Sequence, residues 1–218
     1  MSDLMGKNSV ELRDTTRILL DSIHHGGDQE WYSDDWHRRA GCGPTTATTV
    51  LYYLAQREES LYPLWPTAHT RGREDFIRLM NIVWAYVTPG MRGLNRACMF
   101  TDGMERFAAE RAVPLTAHVL EVPESLLPRK GFDHFRSFLR RGLESDCPVA
   151  FLNLSNGKTE RLHSWHWITV ISAAWNGGDE ENRLSATVCD EATSFDIDMK
   201  CWYDTSLLGG ALVWFSHP

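Results

Sequence analysis

Three residues whose side chains could together perform nucleophilic catalysis stand in the order Cys42, His166 and Asp190. A thiolate can attack a carbonyl carbon, an imidazole can take and return a proton, and a carboxylate can orient the imidazole ring. Cys42 directly precedes Gly43 and Pro44, and an apolar helical pattern follows. With Gly43 as helix cap and Pro44 as the first helical residue, the sulfur would lie at the positive end of the helix dipole, which favours a thiolate. The alternative is a small buried hydrophobic residue, the usual state of a free cysteine.

The candidate base and its orienting carboxylate stand at the ends of two apolar runs in the second half of the sequence. His166 opens "HWITVISAA", between Trp165 and Trp167, and Asp190 closes "LSATVCD". If both runs are strands, the carboxylate that ends one could accept a hydrogen bond from the imidazole that begins the other. The alternatives are a histidine buried in the core and an aspartate that forms a turn. His163 is a second candidate base, although it precedes the apolar run.

The spacing of apolar residues predicts helices in the first half of the chain and strands in the second. Helical spacing is found over 10–23, from Ala47 through Val50 and Leu51 to Leu54, over 73–90, around 104–108, and over 132–143. Short runs typical of strands occupy 115–122, 147–154, 163–175, 184–190, 194–200 and 211–216. We therefore expect an α+β fold in a single domain over 1–218, with a helical lobe at about 1–146 and a β-rich lobe at about 147–218. A site built from both halves would lie where the helices meet a mostly antiparallel sheet.

Several short motifs resemble those of the papain-like cysteine peptidases. More narrowly, they are similar to the branch related to bacteriocin-processing (double-glycine) peptidases, here without a transporter segment. The motifs are "GCGPTTA" at 41–47, "CPVAFLNL" at 147–154, "HWITV" at 166–170 and "VCD" at 188–190. The resemblance implies a papain-like fold, in which a helical lobe carries the cysteine on its helix and packs on an antiparallel sheet that carries the histidine and the aspartate.

The same resemblance implies roles for individual residues. Cys42 would be the nucleophile, His166 the base and later the acid, and Asp190 the orienting group. The family also has a glutamine upstream of the cysteine, whose amide donates to the oxyanion together with the cysteine backbone N–H. Gln29 is the only glutamine before Cys42 and is the candidate for this role, with a plain surface glutamine as the alternative.

The expected function is that of a cysteine peptidase or amidase, a hydrolase that cleaves a peptide or amide bond through an acyl-enzyme. Two alternatives use the same fold: an acyltransferase with the same triad, and a papain-like binding module without turnover. The expected partner is a peptide or amide substrate, and the triad chemistry needs no cofactor.

Composition argues against other classes of function. The formal net charge of −7 disfavours nucleic-acid binding, and no apolar run approaches the length of about 18 residues that a membrane span needs. Five cysteines, an odd number, with no secretory signal in this sequence, lead us to expect reduced thiols and a cytoplasmic location.

Three further features have simpler explanations than a functional site. A zinc site from His163, His166, Cys189 and Cys201 lacks the short Cys–Cys spacings of structural zinc sites, and strand alternation would turn the two histidines to opposite faces, so no metal is expected. Gly26-Gly27 lacks the hydrophobic residues that precede a double-glycine cleavage site, which favours a flexible turn. The basic residues at 129, 130, 136, 140 and 141 alternate with apolar ones, as on the solvated face of a helix.

Overall fold

The structure, a computed structural model, describes residues 7–67, 70–125, 127–176 and 183–218. The helices are α1 (Asp35–Ala40), α2 (Cys42–Ala55), α3 (Arg73–Trp84), α4 (Ala97–Ala109), α5 (Phe132–Glu144) and α6 (Met199–Thr205). The strands are β1 (Lys7–Glu11), β2 (Leu19–Leu20), β3 (His24–His25), β4 (Thr116–Val122), β5 (Val149–Asn153), β6 (His166–Asn176), β7 (Leu184–Asp190), β8 (Thr193–Asp198) and β9 (Gly210–Ser216). Short 3₁₀ helices occupy Thr15–Ile18, Gln29–Trp31 and Glu59–Leu64. The fold is therefore α+β, with a helical N-terminal region packed on a sheet.

A seven-stranded sheet forms the centre of the molecule, and all its pairs are antiparallel. Six of the strands follow the order β4-β9-β5-β6-β7-β8, and the seventh, β1, pairs with β6. β6 is long enough to have two neighbours on one side: its first half pairs with β5 and its second half with β1. Across β6 and β7, Thr169 lies opposite Cys189. This register brings the start of β6, at His166, next to the end of β7, at Asp190, at the same end of the two strands.

Helix α2 is buried on all sides, because it lies between the sheet and the other helices. It contacts β6, α3 and the 3₁₀ helix Glu59–Leu64, and every residue from Gly43 to Ala55 is buried. Two of its four threonines are compatible with this environment because their hydroxyls bond within the helix. The hydroxyls of Thr48 and Thr49 donate to the carbonyls of Pro44 and Thr45 at 2.7 and 3.0 Å.

The predicted helix over 10–23 is wrong. This segment contains the end of β1, the 3₁₀ helix Thr15–Ile18 and the short strand β2, whose partner β3 follows directly after it. β1 pairs with the second half of β6, Asp14 caps the 3₁₀ turn by accepting from Thr16 N at 3.1 Å, and Asp21 and Ser22 have positive φ. Pairing with the distant strand β6 takes only Val10 and Glu11, and the capped 3₁₀ turn and the positive-φ residues interrupt the helix after them.

Most of the other predicted elements are confirmed, with shifted ends. The helices over 73–90, around 104–108 and over 132–143 correspond to α3, α4 and α5, and strands occupy parts of all six predicted β-type runs. Among the larger shifts, α3 ends already at Trp84, β6 begins only at His166, and the run 194–200 turns into α6 at Met199. Asp198 stops that strand because its side chain caps α6, accepting from Cys201 N at 2.8 Å.

Candidate active site

The nucleophile candidate lies at the first residue of a buried helix. α2 begins at Cys42 with Gly41 as its N-cap, so the predicted start, with Gly43 as cap and Pro44 as first helical residue, is wrong by two residues. The first helical hydrogen bond runs from Thr45 N to Gly41 O at 2.9 Å. The missing N–H of Pro44 therefore costs nothing at the third position, and the N–H of Cys42 has no acceptor within the helix.

Close packing around three glycines fixes the position of Cys42. A Cβ on Gly41 would lie 2.3 Å from the carbonyl oxygen of His37, and one on Gly43 would lie 2.5 Å from the Leu94 side chain. A Cβ on Gly27 would lie 2.4 Å from the ring of Phe76. Real Cβ atoms do not approach so closely, so the backbone before and after Cys42 is held by shape.

The base candidate is held by hydrogen bonds on the sheet side. His166 Nε2 donates to Asp190 Oδ1 at 2.8 Å, and both side chains are about nine-tenths buried, with 11% exposed. The bond fixes the ring orientation and leaves the other ring nitrogen, Nδ1, for Cys42. The neighbouring Trp167 is buried, stacks on Phe100 and donates its indole N–H to Leu94 O at 2.5 Å, which anchors the start of β6 against the loop over α2.

The electrostatics of the site favour the charged form of His166. Burial alone would lower the pKa of the imidazole, but hydrogen bonds to Asp190 and to Cys42, together with the negative charge of both partners, raise the pKa of His166 to about 10. The partners that the ring bonds thus stabilise its charged form, as a thiolate–imidazolium pair would require.

Gln29 also reaches the site, from the 3₁₀ helix Gln29–Trp31. Its side chain lines the same pocket as Cys42, and its Oε1 is buried without a hydrogen-bond partner among the residues that the structure describes. Asp28 caps this short helix by accepting from Glu30 N at 2.8 Å. A half-turn of the amide exchanges Oε1 and Nε2, so the position can hold a hydrogen-bond donor directed at the pocket.

Together these residues line a small cleft between α2 and the sheet. The space for water within it is about 20 Å³, enough for a single water molecule. Its walls include Gln29, Cys42, His166 and Asp190, and Thr45 is a further wall residue from α2. The structure therefore brings all four sequence-predicted site residues into one pocket.

A second histidine lies near the base. His163 precedes β6, is exposed, and has its ring 6.0 Å from that of His166 at nearly a right angle. Because it lies outside the strand, the alternation argument that set the two rings on opposite faces does not apply. The carboxylate partner belongs to His166, which distinguishes the two candidate bases.

Asn153 is a residue that sequence reasoning missed. It is fully buried at the end of β5, opposite His166 in the strand register. Its Nδ2 donates to His163 O at 2.6 Å and its Oδ1 accepts from Trp202 Nε1 at 2.7 Å, so it fastens the loop that leads into His166. The signal in the sequence is a buried-type strand, "VAFLN", that ends in a polar amide.

The remaining sequence features fill structural roles. The described residues include no group of histidine, cysteine and acidic side chains that could hold a metal ion. Gly26 has a φ of +75° and begins the turn into the pocket wall, and its partner Gly27 donates to Thr49 Oγ1 at 3.4 Å. Arg129 donates to Pro123 O and Ser206 O, whereas Arg136 pairs with Asp133 on the surface of α5.

Comparisons with known proteins give no family. No protein-family model matches the sequence, and no curated protein sequence matches it either. In the part of the chain that the structure describes, no helix combines the length and apolar character that crossing a membrane requires.

Proposed function

We propose that this protein is a papain-like cysteine hydrolase that cleaves a peptide or another amide. The observation that carries the proposal is the His166–Asp190 hydrogen bond of 2.8 Å in a pocket that also contains Cys42 and Gln29. A buried histidine, with a carboxylate on one nitrogen and a thiol on the other, is arranged as a general base beside a nucleophile. A purely structural histidine needs neither the thiol nor the pocket.

The reaction follows from these positions. The Cys42 sulfur attacks the substrate carbonyl carbon, and the negative charge that develops on oxygen is stabilised by the Cys42 N–H and the Gln29 amide. His166 then gives a proton to the leaving nitrogen as the C–N bond breaks, which leaves a thioester on Cys42. A water molecule, losing its proton to His166, attacks the thioester carbon; the C–S bond breaks, the acid is released and the Cys42 sulfur leaves as thiolate.

Alkylation with iodoacetamide near neutral pH tests the proposal on the whole chain. Cys42 should react at least about tenfold faster than the exposed Cys98, which serves as the internal reference. Cys147 and Cys189 should stay unmodified, because burial raises the pKa of each thiol to about 12. Mass spectrometry of digested samples at successive times gives each rate.

The matched variant is His166→Gln, which keeps a polar side chain and removes the base. In this variant, Cys42 should react no faster than Cys98. A Cys42 that reacts like Cys98 in the unaltered protein would overturn the proposal and favour a binding module. Where hydrolysis of a peptide substrate is detected, added amines that divert the acyl group from water would indicate an acyltransferase.

A further inference from the structure

The turn between β7 and β8 carries a charged residue into the pocket mouth at a conformational cost. Asp190 and Thr193 are the last paired residues, so the loop consists of Glu191 and Ala192 alone. Their φ values are +46° and +56°. A two-residue hairpin with positive φ at both positions suits Asn-Gly, and other residues are strained there. The chain nevertheless has glutamate at the first position.

The turn is held firmly in this strained form. Ala192 N donates to Gly27 O at 3.1 Å, and His25 N donates to Ala192 O at 2.9 Å. The hydroxyl of Thr193 donates to Asp190 O at 3.0 Å. These bonds tie the turn to the segment that leads into Gln29. The position of Glu191 relative to the pocket is therefore built in and does not depend on a mobile loop.

Among the residues that the structure describes, none pairs with Glu191. It is exposed, it lines the same pocket as Cys42 and His25, and no hydrogen bond or ion pair joins its carboxylate to any described residue. The other charges of the site are already matched, since the His166 imidazolium lies between Asp190 and Cys42. With respect to the described residues, the Glu191 carboxylate at the mouth of the pocket is thus an unmatched negative charge.

We infer that Glu191 is a specificity-determining residue that selects substrates with a positively charged group next to the bond that is cleaved. The inference rests on the proposed function, since it concerns the same cleft. A primary amine or a guanidinium would match the carboxylate in charge and in hydrogen bonding. An acidic group at the same place would be repelled.

Two thiol reagents of similar size and opposite charge test the inference without a known substrate. These are 2-(trimethylammonium)ethyl methanethiosulfonate and 2-sulfonatoethyl methanethiosulfonate; with each, the Cys42 sulfur displaces methanesulfinate and forms a mixed disulfide. The ratio of the cationic reagent's rate to the anionic reagent's rate should be higher at Cys42 than at Cys98. Glu191→Gln should reduce this ratio at Cys42 about tenfold. Adding 1 M salt should reduce it as well, because the charge is exposed.

The matched control is Glu121→Gln. Glu121 is an exposed carboxylate on β4, the strand at the opposite end of the sheet order from β8, and its loss should leave the preference unchanged. A Cys42 that alkylates rapidly with iodoacetamide but has the same charge preference in Glu191→Gln would overturn the inference and leave the proposed function intact. A Cys42 without enhanced reactivity would instead overturn the proposed function.

A peptide mixture extends the test to cleavage. In the unaltered protein, lysine or arginine should be enriched on one side of the cleaved bonds, and the side that is enriched locates Glu191 relative to the substrate. Glu191→Gln should lose this enrichment while Glu121→Gln keeps it. Cleavage without any enrichment of basic residues on either side would contradict the inference.

Discussion

The two sides of the cleft hold their reactive groups by different means. On the helix side, the backbone around Cys42 is fixed by contacts that leave no room for a Cβ on Gly41 or Gly43. On the sheet side, His166 is fixed by a hydrogen bond to Asp190 and by the strand register opposite Asn153. The nucleophile is thus positioned by shape, and the base by polar bonds.

This difference predicts which substitutions each side tolerates. A change of volume should disturb the helix side because close-packed atoms have no room to move. A change of hydrogen-bonding groups at constant volume should disturb the sheet side because a buried donor or acceptor would lose its partner. Stability and reactivity should therefore respond differently on the two sides.

The largest effect is expected from Asp190→Asn, which keeps the shape of the sheet side and removes its charge. The amide no longer stabilises the imidazolium, so the pKa of His166 should fall, and the rate of Cys42 alkylation should fall about tenfold, to near that of Cys98. Asp196→Asn on β8 is the control, since Asp196 accepts from Thr187 Oγ1 at 2.7 Å outside this pocket. An unchanged rate in Asp190→Asn would remove the carboxylate from the mechanism.

The second effect concerns the helix side. Gly41→Ala brings a Cβ to 2.3 Å from His37 O and 2.8 Å from the Tyr32 ring, which forces a backbone shift just before Cys42. We expect a loss of about 1–3 kcal/mol in the free energy of unfolding, measured with denaturant, and slower Cys42 alkylation. Gly131→Ala is the control, because nothing lies within 4 Å of its Cβ position and its φ is −57°. Equal stability of the two variants would show that shape does not hold the helix side.

The contrast also explains what could be predicted from the sequence. His166 and Asp190 can be predicted because each stands at the end of a run with a clear apolar pattern. The pairing of β6 with β7 in the structure then brings the two residues together. The start of α2 was misplaced because Gly-Pro fits several cap positions, and only packing against Leu94 and Tyr32 selects one. The helix predicted over 10–23 fails because Val10 and Glu11 pair with β6, far away in the sequence, and because a 3₁₀ turn and a short local strand pair follow.

The position of Gln29 shows the same limit. Its residue type and its place before Cys42 suggested a role, but a three-residue 3₁₀ helix has no periodic pattern that would direct its side chain. Asn153 gives only a weak signal, a polar amide that ends a buried-type strand, and its role is recognised from the partners it bonds, His163 and Trp202. Long-range contacts therefore decide the parts of the site that periodicity cannot.

The third prediction concerns the pH dependence of stability on the sheet side. The pKa of His166 is about 10 in the folded protein, above its ordinary value of 6.5. Its stabilising contribution is therefore complete below pH 6.5 and is lost as the pH rises to about 10. The difference in free energy of unfolding between the unaltered protein and His166→Gln should shrink across this window.

Chemical denaturation at several pH values measures this difference. Burial raises the pKa of Cys147 and Cys189 to about 12, so both thiols also destabilise the fold at high pH, but equally in the two proteins. Their contribution cancels in the comparison. A difference that stays constant from pH 6.5 to 10 would mean that Asp190 and Cys42 do not stabilise the charged ring.

The smallest effect is expected at the turn, where strain and charge can be separated. Glu191→Asn places a residue that tolerates positive φ at a position with φ of +46°, so the free energy of unfolding should rise by about 0.5–1 kcal/mol. Because the variant also removes the charge, the preference of Cys42 for the cationic reagent should be lost. Ala192→Gly relaxes the second turn position, at +56°, without touching the charge. Ala192 is buried, so the lost methyl contact should offset much of that gain, and the charge preference should persist. A turn that evolved for stability alone would have no reason to keep glutamate where asparagine is less strained. A Glu191→Asn variant that gains stability and keeps the charge preference would show that the glutamate does not select substrates.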